Sequence, residues 1–136
     1  MALMKYGKLI ILLQSLMLSC SVVATPVNDK IAIKDCSHSK TTGLMDQCRD
    51  KAFNEVKNNL DLLYTKLYQS YKKHEPKLAP VFKSMYSQWQ TTIKANCEFS
   101  SYYSRGGAAY HAEYLSCLEK NNLKRLRDLT EIANTP

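Results

Sequence analysis

Residues 41–80 read TTGLMDQCRDKAFNEVKNNLDLLYTKLYQSYKKHEPKLAP, and this stretch decides the fold. Met45, Cys48, Ala52, Val56, Leu60, Leu63, Leu67 and Tyr71 recur every three or four residues, with Arg49, Lys51, Asn54, Asn58 and Lys66 between them. That period predicts a long amphipathic helix from Thr41 to about Tyr71 with one apolar stripe. Pro76 and Pro80 then remove backbone donors and push their predecessors out of the helical region, so the helix stops and the chain turns. Pro80 suits the first turn of a second helix.

Working outward, the second helix runs to about Asn96 and turns Phe82, Met85, Trp89 and Ile93 inward, with Lys83, Ser87, Gln90 and Lys94 facing water. Trp89 at helical spacing reads as core. A third pattern from Ala108 or Ala109 to about Thr130 sets Ala112, Leu115, Leu118, Leu126 and Leu129 on one side. No run of four to eight residues alternates with β-branched side chains, so no strand is expected. Three amphipathic helices bury one another's stripes as an all-α antiparallel bundle.

Upstream, Lys5 and Lys8 precede the apolar run Leu9 to Leu13, and Ser21-Val22-Val23-Ala24 ends in small residues. This is the pattern of an export signal cleaved after Ala24. Met17-Leu18-Ser19-Cys20 offers a competing end, the small-residue-then-Cys pattern of a lipoprotein acylated at Cys20. The resulting division is a signal peptide over 1–24, an extended leader over 25–35, a helical domain over 36–132 and a tail over 133–136. The expected location is periplasmic or secreted, with membrane attachment only if Cys20 carries lipid.

Either route leaves Cys36, Cys48, Cys97 and Cys117 in an oxidising compartment, where disulfides persist. Four cysteines allow three connectivities, and sequence alone does not choose. Proximity suggests Cys36 with Cys48 and Cys97 with Cys117, each loop contributing about 3 kcal/mol on a chain-entropy estimate. Such staples matter in a single domain of this size. Cys36 and His38 with Cys48 also suggest zinc, but no CxxC or HExxH pattern is present and oxidised cysteines supply no thiolate ligands. No metal or cofactor is expected.

Of the 19 Lys and Arg, Lys5 and Lys8 leave with the signal peptide, so 17 basic residues face 12 acidic ones in the exported form. This mild basic bias falls short of the dense stripe of a nucleic-acid binder. Lys120, Lys124, Arg125 and Arg127 crowd the third helix, and with Lys83 or Lys94 they would make a patch for an anionic polymer, lipid or nucleic acid. His38, His74 and His111 lack a Ser or Cys partner at recognisable spacing, and no paired-carboxylate signature appears. An enzyme is not expected.

The candidate recognition element is the segment Phe99 to Tyr110, and within it Tyr102, Tyr103, Arg105, Gly106, Gly107 and Tyr110. Tyrosine gives contact area for little lost entropy, Ser and Gly adapt, and closure by Cys97 and Cys117 pre-organises the loop. The competing reading is that Phe99, Tyr103 and Tyr110 cover the core while Gly106-Gly107 turns the chain.

From Cys36 to Leu129 the chain resembles the bacterial lysozyme-inhibitor-like family typified by the lipoprotein LprI. The resemblance rests on Thr41 through Leu44-Met45-Asp46-Gln47-Cys48, on Leu60-Asp61-Leu62-Leu63-Tyr64 against the family's Leu-Asn-x-x-Tyr, and on the step from Trp89 to Cys97. Gly106-Gly107, Cys117, Arg125 and Leu129 match its closing pattern. Ile93 stands where the family usually has an arginine and Tyr86 where it has a glutamine. The resemblance implies a non-enzymatic protein that binds a protein partner, a lysozyme or another host or envelope protein. Common lysozymes are strongly cationic, so a basic domain must meet them through a locally acidic or neutral face; Glu98, Glu113 and Glu119 are candidates for one.

Overall fold

The computed structural model describes residues 33–135; the expected export signal, Cys20 and most of the leader lie outside them. Three helices make up the domain: α1 over Thr42–His74, α2 over Ala79–Ser100 and α3 over Tyr110–Asn134, with a 3-10 turn at Tyr102–Ser104 between the last two. Among the described residues there is no strand, and no helix is long and apolar enough to cross a membrane.

α1 begins where the Thr41 hydroxyl accepts from the Leu44 amide at 3.2 Å, an N-cap that satisfies one of the free donors of the first turn. It ends in Lys72, Lys73 and His74, and the two lysines are cations favoured at the negative end of the helix dipole. Glu75 to Leu78 turn the chain, and Pro80 occupies the first turn of α2. α2 continues four residues beyond Asn96, because Cys97 must face inward for its disulfide and nothing in Glu98-Phe99-Ser100 breaks a helix. α3 likewise passes Thr130, whose hydroxyl back-bonds to the Leu126 carbonyl at 2.7 Å, and runs to Asn134.

Arg49 and Asp50 of α1 meet Glu119 and His111 of α3, and farther along Leu60 packs with Leu126 and Leu129. α1 and α3 therefore run in the same direction, and α2 returns between them in an up-down-up bundle. The core has two parts. Towards the α1–α2 turn, Leu60, Phe82, Tyr86, Leu126 and Leu129 form a large cluster flanked by Tyr64, Tyr68, Tyr71 and Trp89. Tyr64 stacks on Tyr86 with centroids 3.9 Å apart and on Phe82 at 5.3 Å. Towards the other end a smaller cluster holds Cys97, Leu115 and Leu118.

The two disulfides are Cys36–Cys48 and Cys97–Cys117, the pairing suggested by proximity. The first holds the residues before α1 against it. The second joins the last turn of α2 to α3.

Three packing expectations need correction. Met85 lies exposed and Tyr86 takes the inward place, because the α2 stripe runs through Ala79, Phe82, Tyr86 and Cys97. Trp89 is only half-buried at the edge of the larger cluster, where Arg125 covers its ring at 5.5 Å. Glu119 is no surface acid: it is 0% exposed, accepts from the Lys34 amide at 3.0 Å and pairs with Arg49 at 3.2 Å. Arg49 also donates to the Lys34 carbonyl at 2.8 Å, so this buried pair ties the chain ahead of Cys36 to α1 and α3.

Candidate functional site

The loop from Phe99 to Ala109 is built on a fixed helix end. The Ser100 and Ser101 hydroxyls both donate to the Cys97 carbonyl, at 3.0 and 2.7 Å, beside the Ser101 amide at 3.1 Å, so three donors converge on one carbonyl in the last turn of α2. Ser101 is buried and carries the chain into the 3-10 turn. Gly106 then adopts φ +79°, where a side chain is strained, and a Cβ on Gly107 would stand 3.1 Å from the Ser104 carbonyl oxygen. Glu113 in the first turn of α3 accepts from the Ser104 hydroxyl, and its charge suits that positive helix end.

This frame presents aromatics to water. Phe99 is 81% exposed, Tyr103 97% and Tyr102 55%. Tyr102 and Tyr103 meet edge to face with centroids 5.8 Å apart. Arg105 lies over the Tyr102 ring at 5.2 Å and pairs with Glu98, which bridges the loop back to α2. Of the six residues singled out in the sequence, Tyr102, Tyr103 and Arg105 are brought together. Gly106 and Gly107 shape the turn. Tyr110 stands apart, half-buried at the start of α3 and stacked on Tyr114 at 6.2 Å.

The core-covering reading of Phe99 and Tyr103 is thus overturned. Phe99 is the residue undervalued in sequence, although its position carried the signal: it lies two residues from buried Cys97, about 200° around the helix and so on the opposite face. Phe99, Tyr102 and Tyr103 thus expose three aromatic rings within five residues of chain.

Charge divides along the bundle. With the helices cut at their midpoints, the loop half, residues 33–57 and 90–121, holds eight Lys and Arg against seven Asp and Glu. The opposite half, residues 58–89 and 122–135, holds eight against four. The basic bias of the domain therefore sits mostly away from the aromatic loop. The α3 patch is only partly assembled: Lys120, Lys124 and Arg127 are exposed, whereas Arg125 lies against Trp89 and Met85.

One further concavity lies beside the larger core cluster, lined by Lys57, Asp61, Tyr86, Trp89, Ile93 and Asn122 among others. Its volume of about 70 Å³ is far below the ~300 Å³ at which small-molecule sites begin. Tyr86 donates to Asp61 at 3.3 Å, and burial first, then the Asp61 carboxylate, pushes the phenol far above its ordinary value. Asp61, Tyr86 and Ile93 line this one cleft. Among the described residues no group of three or more His, Cys, Asp or Glu could hold a metal ion. His111 pairs with Asp50 at 3.1 Å and His38 with Asp35 at 3.3 Å, both at exposed positions.

No curated protein and no solved structure matches the chain. The sequence profile of the family described as lysozyme inhibitor LprI does match, over residues 33–129, from just before the first disulfide to the last buried leucine of α3. The chain belongs to that family.

Proposed function

We propose that this protein is an exported, non-catalytic binding domain that captures a lysozyme and blocks it through the loop between α2 and α3. The observation that carries this reading is the display of Phe99, Tyr102 and Tyr103 on a segment held by Cys97–Cys117, Gly106 and the Glu98–Arg105 pair. Pre-ordered aromatics with an arginine are the composition from which interface hot spots are made, because little entropy remains to be lost on binding. Family membership supports the partner class. Two disulfides support an oxidising compartment, periplasmic or extracellular, which the expected signal over 1–24 also serves.

Electrostatics are compatible with a cationic enzyme at this end. The loop half is nearly neutral, and most of the excess positive charge lies in the opposite half of a bundle whose longest helix, of 33 residues, is ~50 Å long. Long-range repulsion is thereby weakest for an approach along the bundle axis to the loop.

Inhibition of lysozyme-catalysed clearing of a bacterial cell-wall suspension tests the reading. The oxidised chain is expected to slow clearing in proportion to its concentration, and the reduced and alkylated chain to lose most of that effect. Full-rate clearing at saturating oxidised chain contradicts it.

A further inference from the structure

The end of the bundle opposite the loop has its own character. The sequence Lys72-Lys73-His74-Glu75-Pro76-Lys77-Leu78-Ala79-Pro80-Val81 forms the close of α1, the turn and the first turn of α2. Ala79 alone of these is buried. Leu78 is 43% exposed and Val81 60%. Three apart at the start of α2, they stand on one side of that turn. Around them Lys72, Lys73, Lys77 and Lys83 are exposed, and none has an ion-pair partner among the described residues. Glu75 is the one acidic side chain in this stretch.

We infer that this tip docks on an anionic phospholipid bilayer, with Leu78 and Val81 entering the interfacial region and the surrounding lysines among the headgroups. The pairing of features selects this occupant. Basic residues near an anionic membrane surface each contribute attraction that salt screens, and exposed apolar side chains between them add burial that only a surface with a hydrocarbon boundary supplies. An anionic polymer or nucleic acid in water would use the lysines and leave Leu78 and Val81 in solvent. Docking this way does not depend on lipid at Cys20. It also points α1 away from the membrane, so the loop end stands ~50 Å out, facing whatever approaches the envelope. The inference rests on the tip alone and stands or falls separately from the loop-end reading.

Co-sedimentation of the oxidised chain from residue 25 onward tests it, a form without the apolar run 9–13 that would itself enter vesicles. Vesicles of equimolar phosphatidylglycerol and phosphatidylcholine are compared with pure phosphatidylcholine. The expected result is partition to the anionic vesicles alone, reduced roughly 30-fold by Lys73→Gln with Lys77→Gln together. Val81→Gln, which removes the apolar side chain without changing the charge, is expected to weaken vesicle binding while leaving binding to dextran sulfate unchanged. Helicity by circular dichroism is expected to be unaltered in these variants, since every substituted side chain is exposed. Equal partition to both vesicle types overturns the inference. So does partition that survives the double lysine variant, or that is indifferent to Val81→Gln, the last outcome marking a general polyanion site.

Discussion

The two ends of this bundle solve the same stability problem by different means. The turn end is held by bulk: Leu60, Phe82, Tyr86, Leu126 and Leu129 with a border of tyrosines, and no covalent link. The loop end has a thinner interior, Cys97, Leu115 and Leu118, and it is here that both disulfides and the buried Glu119–Arg49 pair are found. Large apolar side chains close one end by excluding water from their own surface. At the other end cross-links restrict the unfolded chain and a buried ion pair holds the backbone of Lys34. The loop end can display Phe99 and Tyr103 to solvent because its order comes from staples and polar ties, so its aromatics are not needed for the core.

If that division holds, the largest stability loss follows truncation at the turn end. Phe82→Ala is expected to cost ~3 to 5 kcal/mol by lost transfer energy and a residual cavity, read by urea denaturation. Arg49→Met follows closely, ~3 kcal/mol, because it leaves the Glu119 carboxylate buried without its charge partner. Its signature differs from that of Phe82→Ala, since amides around Lys34 and the start of α3 should lose hydrogen-exchange protection first.

Replacing Cys97 and Cys117 together by Ser is expected to cost about 3 kcal/mol and to open the loop half while amides of the Leu60 cluster stay protected. Uniform loss of protection along all three helices would break the comparison. Trp89→Ala is expected to cost about 2 kcal/mol, less than a core tryptophan, because the ring is half-exposed and lies under Arg125. Smallest is an effect at exposed Asp35. Its carboxyl is held below the ordinary 3.8 by hydrogen bonds from the Ser37 side chain and backbone. A depressed folded-state value contributes stability above the unfolded value that is lost as pH falls through the folded one. Titration followed by NMR should give a midpoint below 3.8.

Much of this was legible in the sequence because the governing signals are local. The stripe from Ala52 to Leu60, the proline pair and the Gly106-Gly107 turn each act over a few residues, and the helices form where those signals place them. Misreadings arose where a choice depends on distant partners. Met85 and Tyr86 are adjacent apolar residues that fit the same period, and only packing against Tyr64 decides which turns inward. Glu119 reads as solvated until Lys34 and Arg49, far away in the chain, are brought beside it. The loop's composition set Tyr102, Tyr103 and Arg105 apart, while the exposure of Phe99 depended on where the Cys97 face of α2 pointed.

We propose that capture belongs to the loop end. The most direct test is titration of a lysozyme with the oxidised chain and with a variant carrying Phe99→Ala, Tyr102→Ala and Tyr103→Ala, each confirmed folded by circular dichroism and by intact disulfides. The parent chain is expected to bind and inhibit, and the triple variant to lose at least ~100-fold in affinity, as truncation of clustered aromatic anchors does, while its stability changes by less than ~1 kcal/mol. A triple variant that inhibits as well as the parent chain would place the contact elsewhere and contradict the claim.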